Sequence, residues 1–206
     1  MTCQALFIFL SRLHSDMRIL YLLLLSFIFQ ASPGTGEPAT VCLSAEEKTL
    51  YDLITAYRAS KGLSVIPLSA KLTMVAQVHA RDLSANYVFD PDNSCNPHSW
   101  SVKGDWSSCC YTNDHKAARC MWDKPKEIAG YDSPGYEIAY YSSKGASATE
   151  GLAGWQKSPG HNPLIINEGI WAKATWRGLG IGFYKEYGVV WFGEAADDTP
   201  ISECPP

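Results

Sequence analysis

The chain is short of charge. Asp, Glu, Lys and Arg make up 18% of its 206 residues, below the ~25% usual in globular proteins, and Lys and Arg nowhere form a run of five. The formal net charge is −4. With no basic stripe, the sequence lacks the electrostatic footprint of a nucleic-acid binder or of a protein that coats anionic membranes. Also missing are a Gly-x-Ser-x-Gly turn, a Cys-x-x-Cys pair and any internal repeat. These absences take away a nucleophilic elbow, the commonest zinc-site spacing and collagen-like organisation. At 46% hydrophobic residues the chain can bury a core, which excludes disorder.

What is present begins with a leader. Ile19 to Phe29 is an apolar run of 11 residues, preceded by Arg18 and followed by Gln30, Ala31, Ser32, Pro33 and Gly34. A positive residue, a short apolar run and small residues make a secretory signal. An uncleaved anchor is the alternative, but a membrane span needs ~20 residues. The expected signal peptide is 1–31, with Met17 as a second candidate start and Gly34 and Gly36 as further cleavage points. Segment 32–43 is a linker rich in Pro and Gly, and 44–206 is one domain of ordinary size. Removing the leader leaves 15 basic and 20 acidic residues, a net charge of −5.

Seven cysteines are many for a chain of this length. Cys3 leaves with the leader, and Cys42, Cys95, Cys109, Cys110, Cys120 and Cys204 remain. An even number in an exported chain predicts three disulfides, with fifteen connectivities open. Cys109 and Cys110 are adjacent, so each is expected to pair elsewhere. A zinc site is the competing reading of the four Cys in 95–120, and the spacing argues against it.

Periodicity supplies the elements. Ser44 to Glu47 is a capping box, followed by Leu50, Leu53, Ile54 and Tyr57 at helical spacing up to Gly62. A second helix opens near Ser69 and carries Leu72, Val75, Ala76, Ala80, Leu83 and Tyr87. Residues 89–135 show no sustained period, and an insert of that length is expected to be functional or stapled. Ser147 to Glu150 opens a third helix, which Ser158-Pro159-Gly160 breaks. Ala172 to Phe183 and Val189 to Phe192 predict a terminal β-hairpin. Helices and strands in this order, without regular alternation, indicate an α+β fold with a layered core.

Four histidines survive the leader. His98 and His161 stand in turn-like contexts, where a scaffold presents a side chain to a cleft, and imidazole there can relay protons or bind a divalent ion. His79 falls on the apolar face of the second helix and reads as a satisfied core-edge residue. His115 could join a site only if the insert folds back over the cleft. Glu137 lies in the apolar, strand-capable Gly135-Tyr-Glu-Ile-Ala139, so its charge faces either water or a polar cavity. Glu150 is explained by its capping box.

In order along the chain stand Ile54-Thr-Ala-Tyr-Arg-Ala-Ser-Lys-Gly-Leu63, Pro67-Leu68, Ala76-Gln-Val-His-Ala-Arg-Asp-Leu83, His98-Ser99, Gly135-Tyr-Glu-Ile-Ala139, Trp155-Gln-Lys-Ser-Pro-Gly-His161, Gly178-Leu-Gly-Ile-Gly182 and Val190-Trp-Phe-Gly193. This set resembles the CAP superfamily of cysteine-rich secretory, antigen 5 and pathogenesis-related 1 proteins, over about residues 45–193. The resemblance implies an α-β-α sandwich, here with a long disulfide-rich insert, 89–135. It also implies a central cleft of two His and two acidic residues that in several members binds zinc or another divalent cation. Carried over by position, His98, Glu137 and His161 are three members of that set, and Ser158 stands where the second Glu is expected. The function implied is a secreted, extracellular binding module for a divalent metal, lipid or sterol, with no membrane span once the leader is gone and no nucleic-acid partner. A binding role is favoured over an enzymatic one. Two alternatives accompany it: a metal-assisted hydrolase with Glu137 as general base, and a structural or defence protein whose cleft is vestigial.

Overall fold

The structure is a computed structural model that describes residues 41–88, 92 and 94–205. The signal peptide, Met17 and linker residues 32–40 lie outside the described residues. The last linker residues, Cys42–Leu43, form strand β1, which pairs in parallel with β5, Ser202–Glu203.

Helix α1, Ala45–Ser60, starts on the expected capping box: Glu47 N–H donates to Ser44 Oγ at 3.3 Å and Ser44 N–H to Glu47 Oε2 at 2.7 Å. It stops before Gly62, whose φ of +73° is costly for any side chain. Helix α2, Ala70–Asn86, is capped by Ser69, whose Oγ accepts from Leu72 N–H at 3.1 Å. Two short helices that the periodicity did not predict, α3 (Arg119–Trp122) and α4 (Lys124–Ala129), lie in the insert. One turn or so of helix is too short to show a period in sequence. Strand β2 is Gly135–Tyr141, helix α5 is Ala148–Lys157 and helix α6 is Asn162–Ile165. In α5 the Ser147 cap forms, but Glu150 does not close a reciprocal box; its carboxylate accepts from Tyr140 Oη at 3.5 Å.

Strands β3 (Gly178–Tyr184) and β4 (Tyr187–Gly193) are the predicted hairpin, closed by Lys185-Glu186 with Lys185 at φ +47°. The first strand begins six residues later than its composition suggests. Gly169–Trp171 forms a 3-10 turn, and Trp176 is buried in the core with its indole N–H on Leu164 O at 3.0 Å. Those aromatics fill space rather than extend a ladder.

The sheet runs β2-β4-β3, antiparallel throughout, with β4 central and wholly buried. Side chains alternate across it. Val190 and Phe192 pack with Leu50 and Ile54 of α1 and Leu152 and Trp155 of α5. Val189 and Trp191 pack on the other face with Leu72, Val75 and Ala80 of α2 and with Trp100, Tyr111 and Met121 of the insert. The fold is therefore the α-β-α sandwich expected of an α+β chain. Helix α2 rests directly on the backbone of β3: a Cβ at Gly180 would stand 2.0 Å from Leu72 C, and one at Gly182 2.3 Å from Ala76 C.

Three disulfides resolve the open connectivity: Cys42–Cys204, Cys95–Cys110 and Cys109–Cys120. The adjacent pair diverges, as expected. The last two anchor the Cys109–Cys110 end of the short Trp100–Cys109 bridge, to Cys95 on one side and Cys120 on the other.

Candidate functional site

Register places the central carboxylate. In the β2–β4 ladder Glu137 stands opposite Trp191, so it points to the α2 face, while its neighbour Ile138 joins the opposite core. On that face α2 presents His79, seven residues after Leu72 and on the same stripe. Both are buried.

Glu137 Oε2 is hydrogen-bonded to His79 Nδ1, and Glu137 Oε1 lies 2.6 Å from His98 Nδ1. The third contact of the chain fixes proton placement: His79 Nε2 is 3.0 Å from Ser99 O. A carbonyl only accepts, so Nε2 carries a proton. Burial pushes the Glu137 carboxyl up, but the two imidazoles outweigh it and hold it below the ordinary carboxylate range. Glu137 is thus ionised, and His79 donates to it from Nδ1 as well. His98 likewise donates from Nδ1, and its Nε2 has no hydrogen bond among the described residues.

The insert supplies this arrangement from three consecutive residues. His98 gives the second imidazole, Ser99 the carbonyl, and Trp100 the indole that stacks on His79 with ring centroids 3.9 Å apart and planes 7° apart. The Cys95–Cys110 bridge and the Asn96 Oδ1 that accepts from His98 N–H at 3.0 Å hold the turn. Sequence reasoning left His79 as a satisfied core residue. It is satisfied, and it is also the clamp on Glu137; the signal was its helical phase with Leu72.

His161 begins α6, and its N–H donates to Ser158 Oγ at 3.3 Å. Ser158, at the position where the resemblance led one to expect an acid, thus caps the His161 turn. From the other side α1 anchors the same segment. Tyr57 Oη donates to Asn162 Oδ1 at 2.9 Å, and buried Arg58 donates to Ile165 O at 2.5 Å and Asn167 Oδ1 at 2.7 Å. Burial, with His98 nearby, pushes the His161 imidazole down to about 4, so it is neutral at physiological pH.

His98, Glu137 and His161 line one cavity of about 610 Å³. His115 lines it too, because the insert does fold back; its Nδ1 is 3.0 Å from Tyr111 Oη. The walls are Tyr111, Met121, Trp122, Tyr136, Leu164 and Trp171, with Ile170 at the mouth, 88% exposed. None of these wall residues was legible as a site residue, since each reads as ordinary core apolar surface. The cavity has a polar floor of imidazoles and an aromatic wall.

A divalent ion would find a limited donor set. Both oxygens of Glu137 are engaged by imidazole Nδ1 atoms, and among the described residues no group of three or more His, Cys, Asp and Glu could hold a metal. The residues do not fit a three-ligand centre with Glu137 in it. In this arrangement Glu137 orients His98.

Comparison with known proteins agrees with the fold. Residues 51–193 match the cysteine-rich secretory protein family, CAP. An extracellular protein containing an SCP domain from Bacillus anthracis is similar at TM-score 0.50 and 20% identity, over 73% of this chain and 40% of that one. A cysteine-rich secretory protein from Staphylococcus aureus gives TM-score 0.49 at 13% identity, over 73% and 38%. This chain thus corresponds to about two fifths of each. No curated protein matches the chain. With residues 51–193 matched, the chain belongs to the CAP, or cysteine-rich secretory protein, family.

Proposed function

We propose that this domain is an extracellular binding module that takes an amphipathic organic molecule, such as a sterol or other lipid, in the cavity between β2, α6 and the insert. The observation that carries the reading is the cavity itself. About 610 Å³ falls in the size range of small-molecule sites, which combine apolar walls with a few placed polar groups. The His98 ring and the neutral His161 ring can each hydrogen-bond a ligand hydroxyl. Three disulfides support an oxidising compartment.

The test is titration of the full domain with a fluorescent sterol, read by energy transfer from tryptophan. Saturable transfer is expected, and Gly160→Phe should abolish it, because Gly160 lines the cavity and its Cβ direction is open to nearly 4 Å. No transfer in the wild type would leave the structural or defence reading in its place. Turnover of an ester substrate that depends on His98 would replace it with the hydrolase reading. Zinc is a second ligand to titrate, and His98 and His161 are the imidazoles it would meet first. Export is checked by the N-terminal mass of the protein secreted from eukaryotic cells.

A further inference from the structure

We propose that the mouth of this cavity is an aromatic subsite for a methylated ammonium group, built by Trp122, Tyr136 and Trp171. The inference rests on the binding role proposed above and adds the charge of the ligand's head. The three rings come from three separate elements, α3 of the insert, edge strand β2 and the 3-10 turn Gly169–Trp171, yet all line the same cavity. Trp122 meets Tyr136 at 6.3 Å and 64°, and Trp171 meets Tyr136 at 4.8 Å and 69°. Steeply inclined rings on a common partner form the walls of a box, not a flat stack. Trp122 is 39% exposed and the other two are half-buried, so the box opens to solvent.

Ring faces carry the negative part of the aromatic quadrupole and attract a cation placed over them. A methylated ammonium suits such a box better than a primary one, since it sheds little hydration and its methyl groups fill the space between rings. The charge of the lining agrees. No Lys or Arg lines the cavity, so none is there to repel a cation or grip a phosphate or carboxylate. Glu137, deeper in, is already satisfied by His79 and His98 and is not left for the ligand.

The experiment compares choline and tetramethylammonium with 3,3-dimethylbutan-1-ol, the uncharged isostere of choline, by tryptophan fluorescence and saturation-transfer NMR on the whole domain. Choline should bind about fivefold or more tighter than the isostere. Trp122→Leu, at a 39% exposed position, should erase that preference with its melting curve intact. Equal affinity for choline and isostere, or an unchanged preference in Trp122→Leu with its melting curve intact, overturns the subsite. Loss of sterol binding in the wild type with the choline preference retained overturns the sterol reading and keeps the subsite. Phosphocholine and vesicles of phosphatidylcholine, set against phosphatidylethanolamine, form the last arm. Stronger binding to choline-headed vesicles assigns the cation to a lipid, and binding confined to free choline assigns it to a small solute.

Discussion

The imidazole of His79 lies flat on the indole of Trp100, 3.9 Å between ring centroids and 7° between planes. This contact joins helix α2 to the disulfide-stapled insert across the top of Glu137. It makes the insert part of the domain's core. Trp100 is buried, and the residue two before it, His98, completes the carboxylate's coordination by imidazole.

The two imidazoles on Glu137 should differ in cost. His79→Ala removes one partner of a fully buried ion pair and should destabilise the domain by about 3–5 kcal/mol. The His98 side chain is 16% exposed, so water can replace it, and His98→Ala should cost about 1 kcal/mol. Urea unfolding of both variants checks the order, and equal losses would contradict the clamp assigned to His79.

Acid should unfold the domain through two groups with the same sign. His161 has its folded value lowered to about 4 from 6.5, so between those values the unfolded chain binds a proton that the folded one does not. Stability therefore rises with pH across that window and is fully present above it, on the order of 2 kcal/mol. Glu137 is also held below its ordinary value of 4.5; its contribution is present above that value and is lost as pH falls further. Urea midpoints between pH 3 and 8 should show both, and His161→Phe should flatten only the upper window.

The disulfides should rank by the chain they close. Cys42–Cys204 spans 162 residues and Cys95–Cys110 spans 15, so paired Cys→Ser changes should cost about 5 and about 3 kcal/mol respectively on chain entropy. The smaller loss has the larger effect on the site, because that bridge holds the turn carrying His98. Broadening or shift of the His98 ring resonances in the Cys95→Ser, Cys110→Ser protein is the expected readout.

Gly180→Ala should be far worse than Gly62→Ala. The first puts a Cβ 2.0 Å from the Leu72 backbone, where no side chain can move aside, and should cost about 3 kcal/mol or more. The second meets open space at a positive φ of +73° and should cost about 1 kcal/mol. Thermal melts of the two proteins settle the comparison.

Arg58→Lys tests how His161 is held. The guanidinium bonds Ser64 O, Ile165 O and Asn167 Oδ1 from one buried position, and a lysine cannot reproduce that fork. A loss of about 2 kcal/mol is expected for these charge-assisted bonds, along with weaker sterol binding as α6 loosens. Unchanged binding would show that His161 does not depend on α1.

Local physics made much of this legible. Capping boxes, apolar stripes and the short hairpin turn depend on residues a few positions apart, so α1, α2, the start of α5 and the β3–β4 hairpin could be read directly. The even cysteine count was also readable, and the resemblance pointed to His98, Glu137 and His161, which line one cavity. Other features depend on who meets whom across the fold. The late start of β3 follows from Trp176 filling the core, and Glu150 turns to Tyr140 because β2 lies beside α5. The disulfide partners, the pairing of His79 with Glu137 and the boxing of Tyr136 by Trp122 and Trp171 join residues far apart in sequence. Sequence by itself determined the longer helices and the hairpin, because those rest on neighbours a few residues apart. Only the tertiary structure decided the cavity, because a buried carboxylate takes whichever donors packing brings to it, and aromatic side chains line a site or fill a core according to the space left beside them.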